Sequence, residues 1–275
     1  MVVINNDSGL TEAHYSGTSL SEIYVGHHLV WPVQPSPPVV GDKFTYTISG
    51  NTNVIPCNET NILSYQEIMI DIRDNGGDMR NISGMTDGII GDCVGEIHPL
   101  CFAECPILSS ITISDNVTEI DHAAFYNCHS LSSVTIPSGV TIISESLFSG
   151  ADNLSTVNIP SGTTEIGFQA FYDCLSLVDI TIPSGVTKIG DSAFRTSYWT
   201  PADREMYNKM MNVANNRVVK CYAQTPPEIG DTVFSIISGS NDIARYKIYV
   251  PAESVEAYKA ANNWSSYASR IEPIV

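Results

Sequence analysis

Apolar residues recur at a fixed step of 23 residues through the middle of the chain. Four columns keep this step, occupied by phenylalanine, isoleucine, leucine and a second isoleucine. Their members are Phe102, Phe125, Phe148, Phe171 and Phe194; Ile97, Ile120, Ile143, Ile166 and Ile189; Leu108, Leu131, Leu154 and Leu177; and Ile113, Ile136, Ile159 and Ile182. Because all four columns stay in register, the segment predicts a stack of equivalent coils.

Each repeat unit reads approximately C-x-S-L-x-x-V-T-I-P-S-G-V-T-x-I-G-x-x-A-F. The V-T-I run alternates and is β-branched, which predicts a short strand that Pro-Ser-Gly then ends. The A-F stretch predicts a compact helical or 3-10 turn. A single unit cannot bury its own Leu, Ile and Phe, so the pattern predicts a mainly β solenoid of 23-residue coils over 91–250.

The segment after the coils has the pattern of a helical cap. TPPEIGDTVF (225–234) restores the Ile-to-Phe spacing, and 251–275 follows with helix-forming residues after Pro251. We expect Val255, Tyr258 and Trp264 to cover the apolar end of the last coil, because an open solenoid end needs a lid.

An insertion, 195–217, interrupts the repeats. Its pattern predicts a helix capped by Thr200, with Met206, Tyr207, Met210 and Met211 on one face. Those four residues are a candidate partner-binding patch. The pattern favours the alternative, in which the same face packs on the side of the solenoid.

The chain before the coils divides into three parts. PVQPSPPVV (32–40) is a stiff, proline-rich linker between 1–31 and the rest. In 41–90, KFTYTISG and EIMIDIR predict strands, and the DNGGD turn with MRNIS predicts a hairpin. We expect this small β region to cap the first coil. DIRDNGGD lacks the ligand spacing of an EF-hand, and its turn-forming residues explain it.

The seven cysteines form an odd set that cannot all pair within one chain. Cys105, Cys128 and Cys174 share one repeat column, which predicts small buried residues. Cys57 and Cys93 lie outside the column and are the best candidates for a disulfide, although the sequence leaves their pairing open.

Candidate chemistry is sparse. His98, Cys101 and Cys105, with His122, Cys128 and His129 one coil later, come nearest to a zinc set, but the column already explains Cys105 and Cys128. None of the common hydrolase, zinc-protease or nucleotide-binding motifs occurs. We therefore expect no catalytic residues, no metal and no cofactor.

The net charge of −17 comes from 13 basic and 30 acidic residues, which disfavours nucleic acid and anionic membrane surfaces. No apolar run is long enough for membrane insertion. The first residues have neither an export signal nor a lipid-anchor cysteine, which favours a protein that is already processed or not exported by the usual route. A homo-oligomer is left open, since coiled-coil heptads are absent.

The coils over about 91–195 resemble the BspA-like (treponemal-type) leucine-rich repeats, whose pattern is L-x-x-V-x-I-P-x-x-V-x-x-I-G-x-x-A-F-x-x-C. SEIYVGHHLVWP, within 1–31, resembles short N-terminal segments of virion-associated proteins of phages that infect gut Bacteroidales. This second resemblance implies attachment to another virion protein. The residues it implicates are Ile23, Tyr24, Val25, Leu29, Val30 and Trp31.

Together these resemblances favour a non-enzymatic virion appendage, a fibre or decoration subunit. Its solenoid is expected to bind a host surface protein or glycan. The alternative is a secreted or surface-attached bacterial adhesin of the BspA-like type, located at the cell surface or outside the cell. A protein whose exposed repeat positions are mostly Ser, Thr, Asn and acidic residues suits either role.

Overall fold

The computed structural model describes 22–25, 28–32, 42–48, 51–56, 62–64, 66, 68, 82–198, 217–238, 241–242 and 246–275. The chain forms two compact units, Met1–Val40 and Gly41–Val275. In the first unit, β1 (Glu22–Val25) and β2 (His28–Pro32) make an antiparallel hairpin with a bulge between Ile23 and Tyr24. Most of the predicted linker lies outside the described residues.

The second unit is strand-rich, and its described strands are short. They are β3 (Asp42–Ile48), β4 (Asn51–Pro56), β5 (Ile62–Leu63), β6 (Met85–Ile90), β7 (Glu96–Ile97), β8 (Ser110–Ile113), β9 (Glu119–Ile120), β10 (Ser133–Thr135), β11 (Ile142–Ile143), β12 (Thr156–Asn158), β13 (Glu165–Ile166), β14 (Asp179–Ile182), β15 (Lys188–Ile189), β16 (Thr196–Tyr198), β17 (Val218–Cys221), β18 (Glu228–Ile229), β19 (Ile236–Ser238), β20 (Asn241–Asp242), β21 (Lys247–Val250) and β22 (Ile271–Pro273). The described helices are α1 (Val255–Ala260) and the 3-10 turns Ile82–Gly84, Ala252–Ser254 and Trp264–Arg270. No helix among the described residues has the length and apolarity to cross a membrane.

Parallel pairing in register stacks the coils. Ile97 lies opposite Ile120 on one side, and Val134 lies opposite Val157 on another. Each coil contributes one longer strand (β8, β10, β12, β14, β17 or β21) and one two-residue strand (β7, β9, β11, β13, β15 or β18). The prediction of a repeat solenoid is confirmed.

Apolar ladders fill the core between the two sets of strands. The rings of Phe102, Phe125, Phe148, Phe171, Phe194 and Phe234 stack in sequence, with centroid separations of 5.1 to 5.7 Å. Cys105, Cys128 and Cys174 are buried and are not disulfide-bonded, as their shared column predicts. Burial raises the pKa of all three thiols, that of Cys128 to about 12.

The A-F stretch is not helical, contrary to the prediction. It is a series of turns in which the first four coils each have two residues with a positive φ. The first such residue of each turn has a φ between 51° and 58°, at Leu100, Ala123, Ser146, Gln169 and Ser192. The backbone N–H two residues after it points at the following coil. The Phe102 N–H therefore donates to Ala124 O at 2.8 Å, and the Phe125 N–H donates to Leu147 O at 3.0 Å. These bonds between coils alternate with i→i+3 turn bonds within each coil, such as that from the Ala103 N–H to Leu100 O at 3.0 Å.

The C-terminal cap satisfies backbone groups that the last coil leaves exposed. Trp264 Nε1 donates to Pro227 O at 2.8 Å, and Asn263 Nδ2 donates to Ile229 O at 2.8 Å. Tyr267 Oη accepts a bond from the Phe234 N–H at 3.3 Å. Tyr258 and Trp264 are fully buried, so the lid closes both the polar and the apolar ends of the ladders.

At the other end, the Phe44 ring contacts the Phe102 ring at 5.2 Å and extends the ladder into β3. Gly88 allows this packing, because a Cβ there would lie 2.8 Å from the Phe44 ring. Part of the predicted β region is different: Ile68 of EIMIDIR is helical, and Ile82–Gly84 of MRNIS is a 3-10 turn. Local alternation misassigned these segments; residues 69–81 lie outside the described ranges.

Arg217 replaces a backbone hydrogen-bond donor where the insertion interrupts the stack of coils. In regular coils, a corner carbonyl accepts an N–H from the next coil, as His129 O does from Asn153 at 3.3 Å. At the equivalent carbonyl of Leu175, the donor is instead Arg217 Nη2, at 2.9 Å. The guanidinium also donates to Tyr246 Oη at 2.6 Å, and it is 1% exposed.

Candidate functional site

The candidate site is the outward surface of the longer strands, here called the long-strand face. Along β8, exposed Ser110 and Thr112 alternate with buried Ile111 and Ile113, and β14 repeats the pattern. Because side chains alternate across a strand, one apolar set faces the core and one polar set faces outward. The outward polar side chains are the part of each coil that does not pack in the core.

Two rows of outward side chains run across the coils in register. The first row is Ser110, Ser133, Thr156, Asp179, Val218 and Lys247, and the second row is Thr112, Thr135, Asn158, Thr181, Lys220 and Tyr249. Pairing aligns Ser133 with Thr156, and Lys220 with Tyr249. Neighbours within a row are about 4.8 Å apart, and the rows are about 7 Å apart, so the face is a regular lattice of polar groups.

The hydroxyls of this lattice are available to a ligand. Within the described residues, Ser133, Thr135 and Thr156 make no side-chain hydrogen bond, and they are exposed. The threonines beside the two-residue strands differ, since Thr164 Oγ1 donates to Thr141 O and Thr187 Oγ1 to Thr164 O, each at 3.2 Å. The hydroxyls beside the two-residue strands therefore link neighbouring coils, whereas those of Ser133, Thr135 and Thr156 do not.

The long-strand face and the surface of the two-residue strands differ in charge. The outward positions of β8, β10 and β12 carry no charge, whereas Glu96, Glu119 and Glu165 line the two-residue strands. Lys188 on that surface is paired with Glu165 at 2.6 Å, and this contact raises the pKa of the lysine. A chain of net charge −17 thus presents an uncharged band to its surroundings.

The side chains of the binding residues that the sequence singled out lie outside the described part of the structure. Ile23, Tyr24, Val25, Leu29, Val30 and Trp31 lie in the β1–β2 hairpin, and their side chains are outside the described part of the molecule. Met206, Tyr207, Met210 and Met211 also lie outside the described residues, as does the predicted Thr200 cap. Both attachment proposals remain predictions.

The histidines of the first coils sit beside carboxylates. His129 Nδ1 is 2.9 Å from Asp152 Oδ2, and His122 Nδ1 is 3.1 Å from Asp121 Oδ1. Partial burial raises the pKa of Asp152, although His129 opposes the shift. In the part of the chain that the structure describes, no three His, Cys, Asp or Glu side chains are grouped to hold a metal ion.

Cys93 is disulfide-bonded. Five other cysteines are buried and are not disulfide-bonded: Cys101, Cys105, Cys128, Cys174 and Cys221. Cys57, the seventh in the sequence, lies outside the described residues.

The rows were not visible as a site in the sequence, because Ser and Thr are common at every exposed repeat position. The signal that could have identified them is the triplet before the I-P or I-S pair of four successive coils, which reads S-I-T, S-V-T, T-V-N and D-I-T. Its first and third residues must face outward if the following isoleucine faces the core.

The repeat segment matches a known protein family. Residues 81–200 match the family described as "BspA type Leucine rich repeat region", in six copies. Repeats of this kind are associated with binding, and no catalytic family is indicated.

Solved bacterial leucine-rich repeat structures also match. A leucine rich cell surface protein from Faecalibacterium prausnitzii A2-165 is 21% identical, with 66% of this chain and 69% of that chain covered and a TM-score of 0.36. The T. pallidum Leucine Rich Repeat protein (TpLRR) is 21% identical, covering 68% of this chain and 72% of that chain, with a TM-score of 0.42. The search of curated proteins found no significant match.

Proposed function

We propose that this protein is a non-enzymatic adhesion protein, secreted or attached to a bacterial surface, which binds a protein or glycan through the long-strand face. The observation that carries the proposal is the lattice of hydroxyls without internal partners, Ser133, Thr135 and Thr156 among them. Serine and threonine hydroxyls both donate and accept, so a row of them suits a ligand rich in hydroxyl or amide groups. The BspA-type repeats support the same role.

The disulfide of Cys93 supports a location outside the cytosol. Disulfides form and persist in oxidising compartments, and they are rare where thiols are kept reduced. The buried cysteines are compatible with this location, because burial protects their thiols.

This proposal prefers the adhesin over the virion appendage that the sequence favoured. Residues 81–200 match the BspA-type repeats, whereas no comparison supports the likeness of SEIYVGHHLVWP to virion segments. Fractionation of the native source separates the two: the adhesin is expected in the envelope or medium, and an appendage would copurify with virus particles.

A binding screen tests the function itself. The purified full chain is labelled and applied to immobilised glycans and extracellular-matrix proteins, with each captured ligand checked for chemical change. We expect saturable binding to at least one ligand, which is recovered intact. Turnover of a ligand, or absence of saturable binding to every ligand of both classes, would overturn the proposal.

A further inference from the structure

The C-terminal end of the long-strand face differs from the rest of it in carrying tyrosine and lysine. Lys220, Tyr222, Lys247 and Tyr249, here called the Tyr–Lys patch, occupy outward positions on and directly after β17 and β21. Tyr249 lies opposite Lys220 in the parallel pair. By strand geometry, neighbouring members lie about 5 to 7 Å apart at their Cα atoms.

The patch brings two lysines together in an acidic chain. Only 13 of the residues are Lys or Arg, against 30 Asp and Glu, yet two lysines lie together here. The carboxylate of Glu272 is exposed opposite Tyr249 in the next strand. That of Asp179 is 3.7 Å from Lys220 Nζ, with 41% of the lysine side chain and 64% of the aspartate side chain exposed. An exposed pair of this length is weak, so an incoming anion can displace it.

The aromatic rings add a second type of contact. The Tyr222 side chain is 42% exposed, and Tyr249 is half-buried beside it in the next coil. Tyrosine offers a rigid apolar ring and a polar hydroxyl, which together match the apolar face and the hydroxyl edge of a sugar ring. A lysine at each side supplies charge-assisted bonds to an anionic substituent.

We propose that the Tyr–Lys patch binds an acidic sugar of a glycan, one that carries a carboxylate or a sulfate. The glycan then continues along the second row, where Thr181, Asn158 and Thr135 meet its hydroxyl groups. An acidic peptide fits less well, because it lacks the hydroxyl-bearing rings that the tyrosines and the outward hydroxyls of β8, β10 and β12 would contact. This assignment rests on the proposed binding role of the long-strand face and names the ligand class.

Titration of the full chain with defined probes tests the assignment. The probes are a galacturonate hexasaccharide, its methyl ester, a sulfated galactan hexasaccharide and hexaglutamate. We expect one or both of the acidic sugars to bind at least about tenfold more tightly than the ester and the peptide. Equal binding of the ester, or preference for hexaglutamate, would overturn the assignment.

Matched variants locate the site. Lys220→Gln combined with Lys247→Gln is expected to weaken acidic-sugar binding by about tenfold or more, and Tyr249→Ala by a similar factor. The control pair, Lys188→Gln with Lys259→Gln, removes two lysines elsewhere and is expected to bind like the parent. All variants should keep the parent's thermal midpoint. Unchanged binding by the first pair, or no binding of either acidic sugar to the parent, contradicts the patch.

These failures are separable from failure of the proposed function. If uncharged glycans or proteins bind the long-strand face while acidic sugars do not, the function stands and the Tyr–Lys patch is wrong.

Discussion

Thr163 is the one threonine in a repeat column otherwise made of valine. Val94, Val117, Val140 and Val186 hold the equivalent positions, and all five side chains are buried. Thr163 Oγ1 has no hydrogen-bond partner among the described residues. A buried hydroxyl without a partner loses its hydration and gains nothing in return.

We therefore expect Thr163→Val to raise the free energy of unfolding by about 1 kcal/mol. Urea unfolding of the variant and the parent measures the change. Val140→Thr is the matched control, which should lower stability because it introduces the same orphan hydroxyl one coil earlier. A less stable Thr163→Val protein would mean that the hydroxyl has a partner.

The buried thiols of the cysteine column predict a loss of stability in alkali. The Cys128 pKa rises from 9.0 to about 12, and those of Cys105 and Cys174 are also raised. The folded state keeps these thiols protonated, whereas the unfolded chain ionises above pH 9.0. The free energy of unfolding should therefore fall as pH rises from about 9 towards 12.

Urea unfolding between pH 8 and pH 10.5 checks this sign, with values that bracket the ordinary thiol pKa of about 8.5. Cys128→Ala is the control, since alanine already occupies the equivalent position at Ala151. Its stability should depend less steeply on pH than that of the parent. Identical slopes would contradict the burial of the Cys128 thiol.

At the scale of elements, the coils were predictable because their determinants repeat. The V-T-I strands and the phenylalanine ladder each follow from a pattern seen several times over. The turn around Ala123 and Phe125 was not, since its conformation depends on N–H bonds to Leu147 and Glu145 of the next coil. Ile68 lies outside the repeats, so no equivalent position supports a prediction for it. The role of Arg217 depends on the stacking of the coils, because its guanidinium replaces a backbone N–H donor there.

The C-terminal cap should be essential to the last coils. Trp264 is fully buried against the Phe234 ring at 5.7 Å, and its Nε1–H satisfies Pro227 O. Trp264→Ala should cost about 3 to 5 kcal/mol, because it removes a large core side chain and leaves a carbonyl without a donor.

Urea unfolding measures that cost. Tyr222→Ala is the control, because it truncates an exposed aromatic residue and should change stability by less than about 0.5 kcal/mol. Equal effects of the two substitutions would show that the cap does not seal the ladder.

At the scale of the whole molecule, folding and the proposed binding use different sides of the same strands. Inward Val134 and Ile136 build the core, while outward Ser133 and Thr135 have no role in packing. Sequence alone could predict which residues fold the protein, because apolar periodicity reports burial. It could not choose among the exposed polar columns, since their difference lies in hydrogen bonds made or left unmade between coils.

The most direct test of this account compares two threonines on opposite sides of one coil. Thr135 lies in the second row of the long-strand face, and Thr141 is an exposed threonine beside the two-residue strands. Thr135→Lys places a long charged side chain in the uncharged band, and Thr141→Lys places the same group outside it. The affinity of each variant for the ligand found in the screen is measured beside the parent. The account predicts that Thr135→Lys weakens binding by about tenfold or more while Thr141→Lys binds like the parent; the reverse order, or no effect of Thr135→Lys, would contradict it.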